Sequence, residues 1–273
     1  MSTPIVVWGT GPNSSKSHVC LALLRLLARD GTTAVPFKAV TVMEPDRWRH
    51  GGPCPIPHHV SAARTTWRPT MSPVVVQLAD GPGPARGLLR IHGDPCGEVS
   101  LLSPDTLDGA DLTRVQRADV AAAVTAALNE LTGSGAAVVA EGAGSPVDAA
   151  DDLANILVAR HLAEARIVLS AYCWNGGTVA ALLGTLECLP GDLRSRVIGF
   201  VQNRPMSTDA ARRWADQISA RTGLPLLAQV GDLSAVGSAD LLQSADGLAD
   251  PWADSFAAEA DLSWLLRAHQ VSS

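Results

Sequence analysis

The residues with the most chemical content lie near the start of the chain, in Gly9-Thr10-Gly11-Pro12-Asn13-Ser14-Ser15-Lys16-Ser17-His18. A loop that grips a phosphate chain needs backbone N–H groups turned inward, with a helix N-terminus behind them. It also needs an ammonium for the terminal phosphates and a hydroxyl for Mg²⁺. Lys16 and Ser17 supply those two groups. Gly9, Thr10, Gly11, Asn13, Ser14, Ser15 and His18 complete the candidate nucleotide contacts. The generic pattern has Gly where Ser15 stands and begins with Gly where Thr10 stands. A Cβ at position 15 sits where backbone and phosphate approach closely, so weaker affinity or a relaxed loop is expected. A plain Gly/Ser turn between strand and helix would not call for Lys followed by Ser at the helix start.

Further segments extend the set. Of the 21 lysines and arginines only two are lysines, Lys16 and Lys38. An ammonium is compact where a guanidinium is a planar fork, so the two types are not interchangeable. Lys38 follows Val35-Pro36-Phe37 and could reach a phosphate or an anionic substrate; alone, it reads more simply as a solvated strand end. Glu141-Gly142-Ala143-Gly144-Ser145-Pro146 begins with an acid at the end of an apolar run, a place suited to a direct or water-mediated Mg²⁺ contact. Its glycines let backbone pass close to a ligand. Gly199-Phe200-Val201-Gln202-Asn203-Arg204 ends in an amide whose paired donor and acceptor suit the edge of adenine, though Asn is also common in turns.

The elements that must position these groups alternate. Residues 5–8 read as a buried strand, 16–29 as a helix ended by Asp30-Gly31, and 33–37 as a second strand, a parallel βαβ order. Strands are expected at 74–78 and 88–92 around a Gly/Pro turn at 81–84. A long helix is expected over 111–131, then a strand over 137–140. The alternation continues with helices at 151–163, 177–189 and 208–222 and strands at 167–170, 197–201 and 226–230. Residues 41–72, rich in Pro and Gly, read as an irregular insertion or lid within one domain over 1–245. Residues 246–254 read as a linker to a closing helix over 258–269, so that 246–273 packs on the same domain. The fold class is α/β: a mostly parallel central sheet with helices on both faces, of the P-loop type. Such sheets bind ligands beyond the carboxyl ends of their strands, where most of the quoted residues fall.

Together the loop 9–17, Val35-Pro36-Phe37-Lys38, Glu141–Pro146, the Gly176-Gly177…Gly184-Thr185 segment and Gly199-Phe200…Asn203-Arg204 resemble the amino-terminal synthetase domain of cobyric acid synthase, over residues 4–235 and in the same order. Met71-Ser72-Pro73-Val74-Val75 is similar to that family's Met-Asn-Pro segment. Dethiobiotin synthetase is a more distant relative of the same fold. The resemblance implies ATP-dependent phosphorylation of a small-molecule carboxylate, followed by displacement by ammonia or an amine. It implies that Lys16 and the neighbouring amides hold phosphates and that Ser17 and Glu141 hold Mg²⁺. Lys38 would then face the transferred phosphate, and Asn203 and Arg204 the base. Substrate contacts are expected from Gly142, Ala143, Gly144 and Ser145.

The departures matter too. The family's Asp-x-Asp-Arg-Gly-Gly segment reads here as Tyr172-Cys173-Trp174-Asn175-Gly176-Gly177, an aromatic surface in place of acids and an arginine. Tyr172, Trp174 and Asn175 are therefore substrate candidates, for a substrate other than a corrinoid. The lysine that follows the family's Met-Asn-Pro strand has at most Gln77 in its place. The family's second, glutamine-hydrolysing domain has no counterpart in 273 residues, so ammonia is expected from solution, from a separate glutaminase, or not at all.

Composition bounds the alternatives. A net charge of −6 argues against nucleic-acid and anionic-membrane partners. No apolar run reaches the roughly 18 residues of a spanning helix. The Cys count of 5 is odd, without C-x-x-C spacing, which reads as reduced thiols in a cytoplasmic protein. Related folds build sites across a dimer, so a homodimer is an expectation. His58 and His59, read in an extended loop, would diverge rather than share a metal. Trp48 and Trp67 read as packing residues, and Asp151-Asp152 as acids at a helix start. Two other functions compete with the ligase: a catalytically degenerate nucleotide-binding scaffold, motivated by Ser15, Tyr172 and Trp174, and a dethiobiotin-synthetase-like cyclo-ligase.

Overall fold

In the first strand, β1 (Ile5–Gly9), every residue is buried, and so is every residue of β7 (Ala137–Glu141). Strands buried on both faces belong to the middle of a parallel sheet. The computed structural model describes residues 3–43, 56–81, 85–101, 107, 110–149, 152–174, 176–204, 207–231, 245–258 and 262–266, with backbone alone at 245–248. β1 pairs in parallel with β7 on one side and β8 (Arg166–Tyr172) on the other. β2 (Ala34–Lys38) lies outside β7; β9 (Val197–Asn203) and β10 (Leu226–Val230) lie outside β8. The six-stranded order is β10-β9-β8-β1-β7-β2. Chain connections leave β1 and β8 in opposite directions, and the crevice at such a switch point is where parallel sheets take ligands.

Alternation along β1 assigns the two faces. Ile5 and Val7 join the apolar side of α1 (Lys16–Arg29) and of α8 (Ala245–Ala258). Val6 and Trp8 join a larger core with α3 (Arg114–Gly133), α5 (Gly177–Cys188) and α7 (Thr208–Thr222). Helices thus cover both faces, as expected; the single-turn α6 (Gly191–Arg194) follows α5. α3 starts on a capping box, in which Thr113 accepts from Gln116 N and the Gln116 side chain accepts from Thr113 N. The helix expected over 151–163 is shorter, α4 (Ile156–His161). Before it, Asp152 is buried and accepts from the backbone of Ala154 and Asn155, which holds a turn there instead.

Two parts differ from expectation. A second, four-stranded sheet has the order β3-β4-β5-β6, with β3 (Val40–Met43) parallel to β4 (Val74–Leu78), and β5 (Arg86–Ile91) and β6 (Asp94–Ser100) antiparallel. β3 from its second residue onward and the short α2 (Pro57–Ala62) lie inside the stretch read as irregular. β6 carries Pro95 and Gly97 and little apolar pattern, as sheet edges do. Residues 44–55, including Trp48, lie outside the described residues; Trp67 packs on the core. The linker expected over 246–254 is instead part of α8. Ala249, Trp252, Ala253 and Phe256 follow helical spacing and are buried against α1. Arg29 on α1 donates to Asp250 at 2.7 Å and to Asp254 at 2.6 Å. The acids and Pro251 masked that period. Of the closing helix, α9 (Ser263–Leu266) is described, with 259–261 and 267–273 outside the described residues. Among the described residues no helix is long and apolar enough to cross a membrane.

Candidate nucleotide site

α1 begins without a side-chain cap and without an acid in its first turn, so its positive end is left to the loop ahead of it. That loop winds tightly: Asn13 and Ser15 have φ of 56° and 62°. A non-glycine residue in this left-handed region costs about 1–2 kcal/mol, which is the physical content of the missing glycine at 15. The turn leaves no room at Gly9, where a Cβ would stand 2.0 Å from Ser14 Oγ and 2.8 Å from Lys16 Nζ.

The loop is held from below by strand ends. Thr10 N donates to Ser170 O, and Ser170 Oγ donates to Ser14 O. Asn203 Nδ2 donates to Ser14 O at 3.2 Å and to Ser170 Oγ at 2.9 Å. Asn203 is fully buried. Its amide nitrogen therefore buttresses the loop, while its Oδ1 is buried without a hydrogen-bond partner; Asn203 is not among the residues that line the adjoining cavity. Arg204, the next residue, lines the cavity instead.

The cavity is about 300 Å³ and is lined by Asn13, Ser15, Lys16, Ser17, Lys38 and Glu141, together with His18, the backbone of 142–144 and Arg204. Lys16 Nζ donates to Gly11 O at 3.0 Å and across the cavity to Gly144 O at 2.9 Å. Register pairs Lys38 with Glu141 at the ends of β2 and β7, and their side chains meet at 2.7 Å. Ser17 Oγ donates to the same Glu141 oxygen at 2.8 Å. Burial would raise the pKa of this carboxyl, yet Lys38, then His59, and the hydrogen bonds from Lys38 and Ser17 hold it down at about 2. It is ionised at neutral pH. The pKa of His18 is lowered as well, to about 4, chiefly through burial and then through Arg204, which leaves the ring neutral at neutral pH. His18 stacks on Trp252 of α8 with ring centroids 4.2 Å apart, so the last long helix reaches the site.

Supports that sequence reasoning missed come from two places. Asn155 is fully buried; its side chain accepts from Ala143 N and donates to Ala143 O, and Asp152 accepts from it. It fixes the turn of Gly142–Gly144, and a Cβ at Gly142 would collide with its Oδ1 at 2.0 Å. Ser145, buried, donates its backbone N–H to Asp148. The second support is His59, on α2 rather than in an extended loop, with Nε2 2.9 Å from Ser17 O. A lone Asn before a helix and a His in a Pro-rich stretch gave no pattern to find them by. Tyr172 ends β8 and Trp174 follows it, outside the residues that line the cavity: register places Tyr172 beside Asn203, the two rings are edge-to-face at 6.3 Å, and Trp174 is 69 % exposed. Asn175 lies outside the described residues.

No family model matches the chain. Cobyric acid synthase of Sorangium cellulosum is 32% identical over 243 residues, covering 86% of this chain and 44% of that protein. Cobyric acid synthase of Mycolicibacterium vanbaalenii is 33% identical over 211 residues, covering 74% and 40%. Probable cobyric acid synthase of Halobacterium salinarum is 34% identical over 246 residues, covering 82% and 44%. The chain thus spans less than half the length of these relatives. Among solved structures, cobyrinic acid a,c-diamide synthase of Mycobacterium smegmatis is 15% identical, covers 94% of each chain and superposes with a TM-score of 0.45. Over most of its own length, this chain is homologous to the synthetase domain of the cobyric acid synthases.

Proposed function

We propose that the chain is an ATP- and Mg²⁺-dependent ligase that activates a small-molecule carboxylate for C–N bond formation with ammonia or an amine. One observation carries this reading: both lysines of the chain, a helix-start hydroxyl and an ionised buried carboxylate converge on one cavity at the N-terminus of α1. Homology to cobyric acid synthases supplies the reaction class. The residues suit a Mg²⁺–triphosphate pair. Ser17 Oγ and Glu141 offer two hard oxygens to a cation that otherwise keeps waters and phosphate oxygens, and Glu141 Oε2 is buried without a hydrogen-bond partner. Mg²⁺ would neutralise charge on the phosphates. Lys16 and the loop amides bind the phosphate chain, and phosphoryl transfer relies mainly on such positioning. Lys38 carries the charge that faces the phosphate on transfer once it parts from Glu141. In this reading Tyr172 and Trp174, at the end of β8, meet the substrate, which favours one with a flat apolar body. Ammonia comes from solution or a separate glutaminase.

A second reading, a nucleotide-binding scaffold without turnover, is favoured by Ser15 in a glycine conformation. ADP release across a panel of carboxylic acids, with and without ammonium, tests both. Release that needs both carboxylate and ammonium supports the ligase. Tight nucleotide binding with no stimulated release by any acid favours the scaffold, and dependence on bicarbonate points to cyclo-ligation.

A further inference from the structure

His59 is a buried imidazole inside the site for which the nucleotide reading has no use. It is 6% exposed and sits on α2, which packs against α1 and α8. Nε2 lies 2.9 Å from Ser17 O and 3.5 Å from Glu141 Oε2, the carboxylate oxygen that has no hydrogen-bond partner. A carbonyl and a carboxylate oxygen only accept, and both lie on the Nε2 side of the ring, so that nitrogen is the donor. The ring thereby touches both groups assigned to the divalent ion: Ser17 through its carbonyl, Glu141 through its second oxygen. Side chains that orient ligands from behind tune metal affinity without touching the metal.

We propose that His59 is a positioning residue, whose Nε2–H fixes the first turn of α1 and Glu141 in the mutual geometry that receives a divalent ion beside a nucleotide. The inference rests on the nucleotide reading above. It ties the segment between β3 and β4 to metal affinity, because the two partners of the ring are the two groups assigned to the ion.

The test compares His59→Gln with His59→Asn. Gln carries its amide nitrogen as many bonds from Cα as Nε2 of the imidazole, whereas Asn stops one bond short. ATP affinity is measured by calorimetry on both variants and the wild type, once with Mg²⁺ and once with EDTA, and thermal unfolding checks that all three fold. Loss of one such hydrogen bond predicts about five- to tenfold weaker Mg²⁺·ATP binding for His59→Asn. His59→Gln should stay within about twofold of the wild type, and all three should agree within about twofold in EDTA. Equal behaviour of the two variants, or the same loss in EDTA, overturns the positioning role. A wild type that binds no nucleotide sinks the nucleotide reading itself; a wild type that binds, with both variants unchanged, sinks only this inference.

Discussion

Replacing Lys38 with Met removes the cation nearest a carboxylate that the fold has buried. The Glu141 side chain is 2% exposed and that of Lys38 21%, with Nζ and Oε1 2.7 Å apart. The carboxyl falls from an ordinary value of 4.5 to about 2 on folding. At about 1.4 kcal/mol per pH unit this corresponds to roughly 3 kcal/mol of stability. A folded pKa below the unfolded one means this contribution is complete above pH 4.5 and is lost as pH falls toward 2. Breaking a buried pair from one side costs about 3–5 kcal/mol; the partial exposure of Lys38 lowers the expectation to about 2–3 kcal/mol. Thermal unfolding at pH 7 should then show a midpoint about 5–10 °C lower for Lys38→Met. With its cation gone, Glu141 is raised by burial, so the gap to the wild type should narrow as the pH drops from 7 to 4. Adding Glu141→Gln should recover part of the loss. A Lys38→Met midpoint equal to the wild type, or a gap that does not change with pH, would refute the electrostatic account.

Other perturbations probe the loop and its supports. Ser15→Gly removes about 1–2 kcal/mol of left-handed strain at a cost of about 0.5–1 kcal/mol in chain entropy. It should therefore raise stability in denaturant titrations by about 0.5–1 kcal/mol and tighten nucleotide binding. Asn155→Ala leaves the N–H and C=O of Ala143 without their partner; a loss of about 2–3 kcal/mol in the same titrations is expected, with weaker nucleotide binding. Trp252→Ala strips the ring stacked on His18 and opens a cavity under α8, a change expected to cost about 3–5 kcal/mol in thermal or denaturant unfolding.

Most of the six-stranded sheet was legible because its strands are apolar runs set between helices of clear period, and parallel order follows from that alternation. The strand–loop–helix path at 9–18 was legible because an apolar run ends at Gly9 and a helix of clear period opens at Lys16. The second sheet was not: β3 begins two residues after β2 ends, so one apolar stretch serves two sheets, and β6 offers Pro95 and Gly97 where a strand pattern was sought. α8 was hidden because Asp250 and Asp254, which serve as partners for Arg29, resemble linker residues in sequence. Asn203 shows what residue type leaves out: only the packing shows its amide nitrogen turned under the loop to Ser14 and Ser170. Asn155 and His59 act through distant backbone carbonyls, and no local spacing announces such contacts.

In the proposed function Lys16 and the first turn of α1 receive a triphosphate. Calorimetric titration of Mg²⁺·ATP into the wild type and Lys16→Ala reads that contact. Loss of a charge-assisted contact of about 1.5–3 kcal/mol predicts saturable binding to the wild type and binding about 10- to 100-fold weaker to the variant. Equal affinity in the two proteins, or no heat of binding to the wild type at millimolar nucleotide, would contradict it.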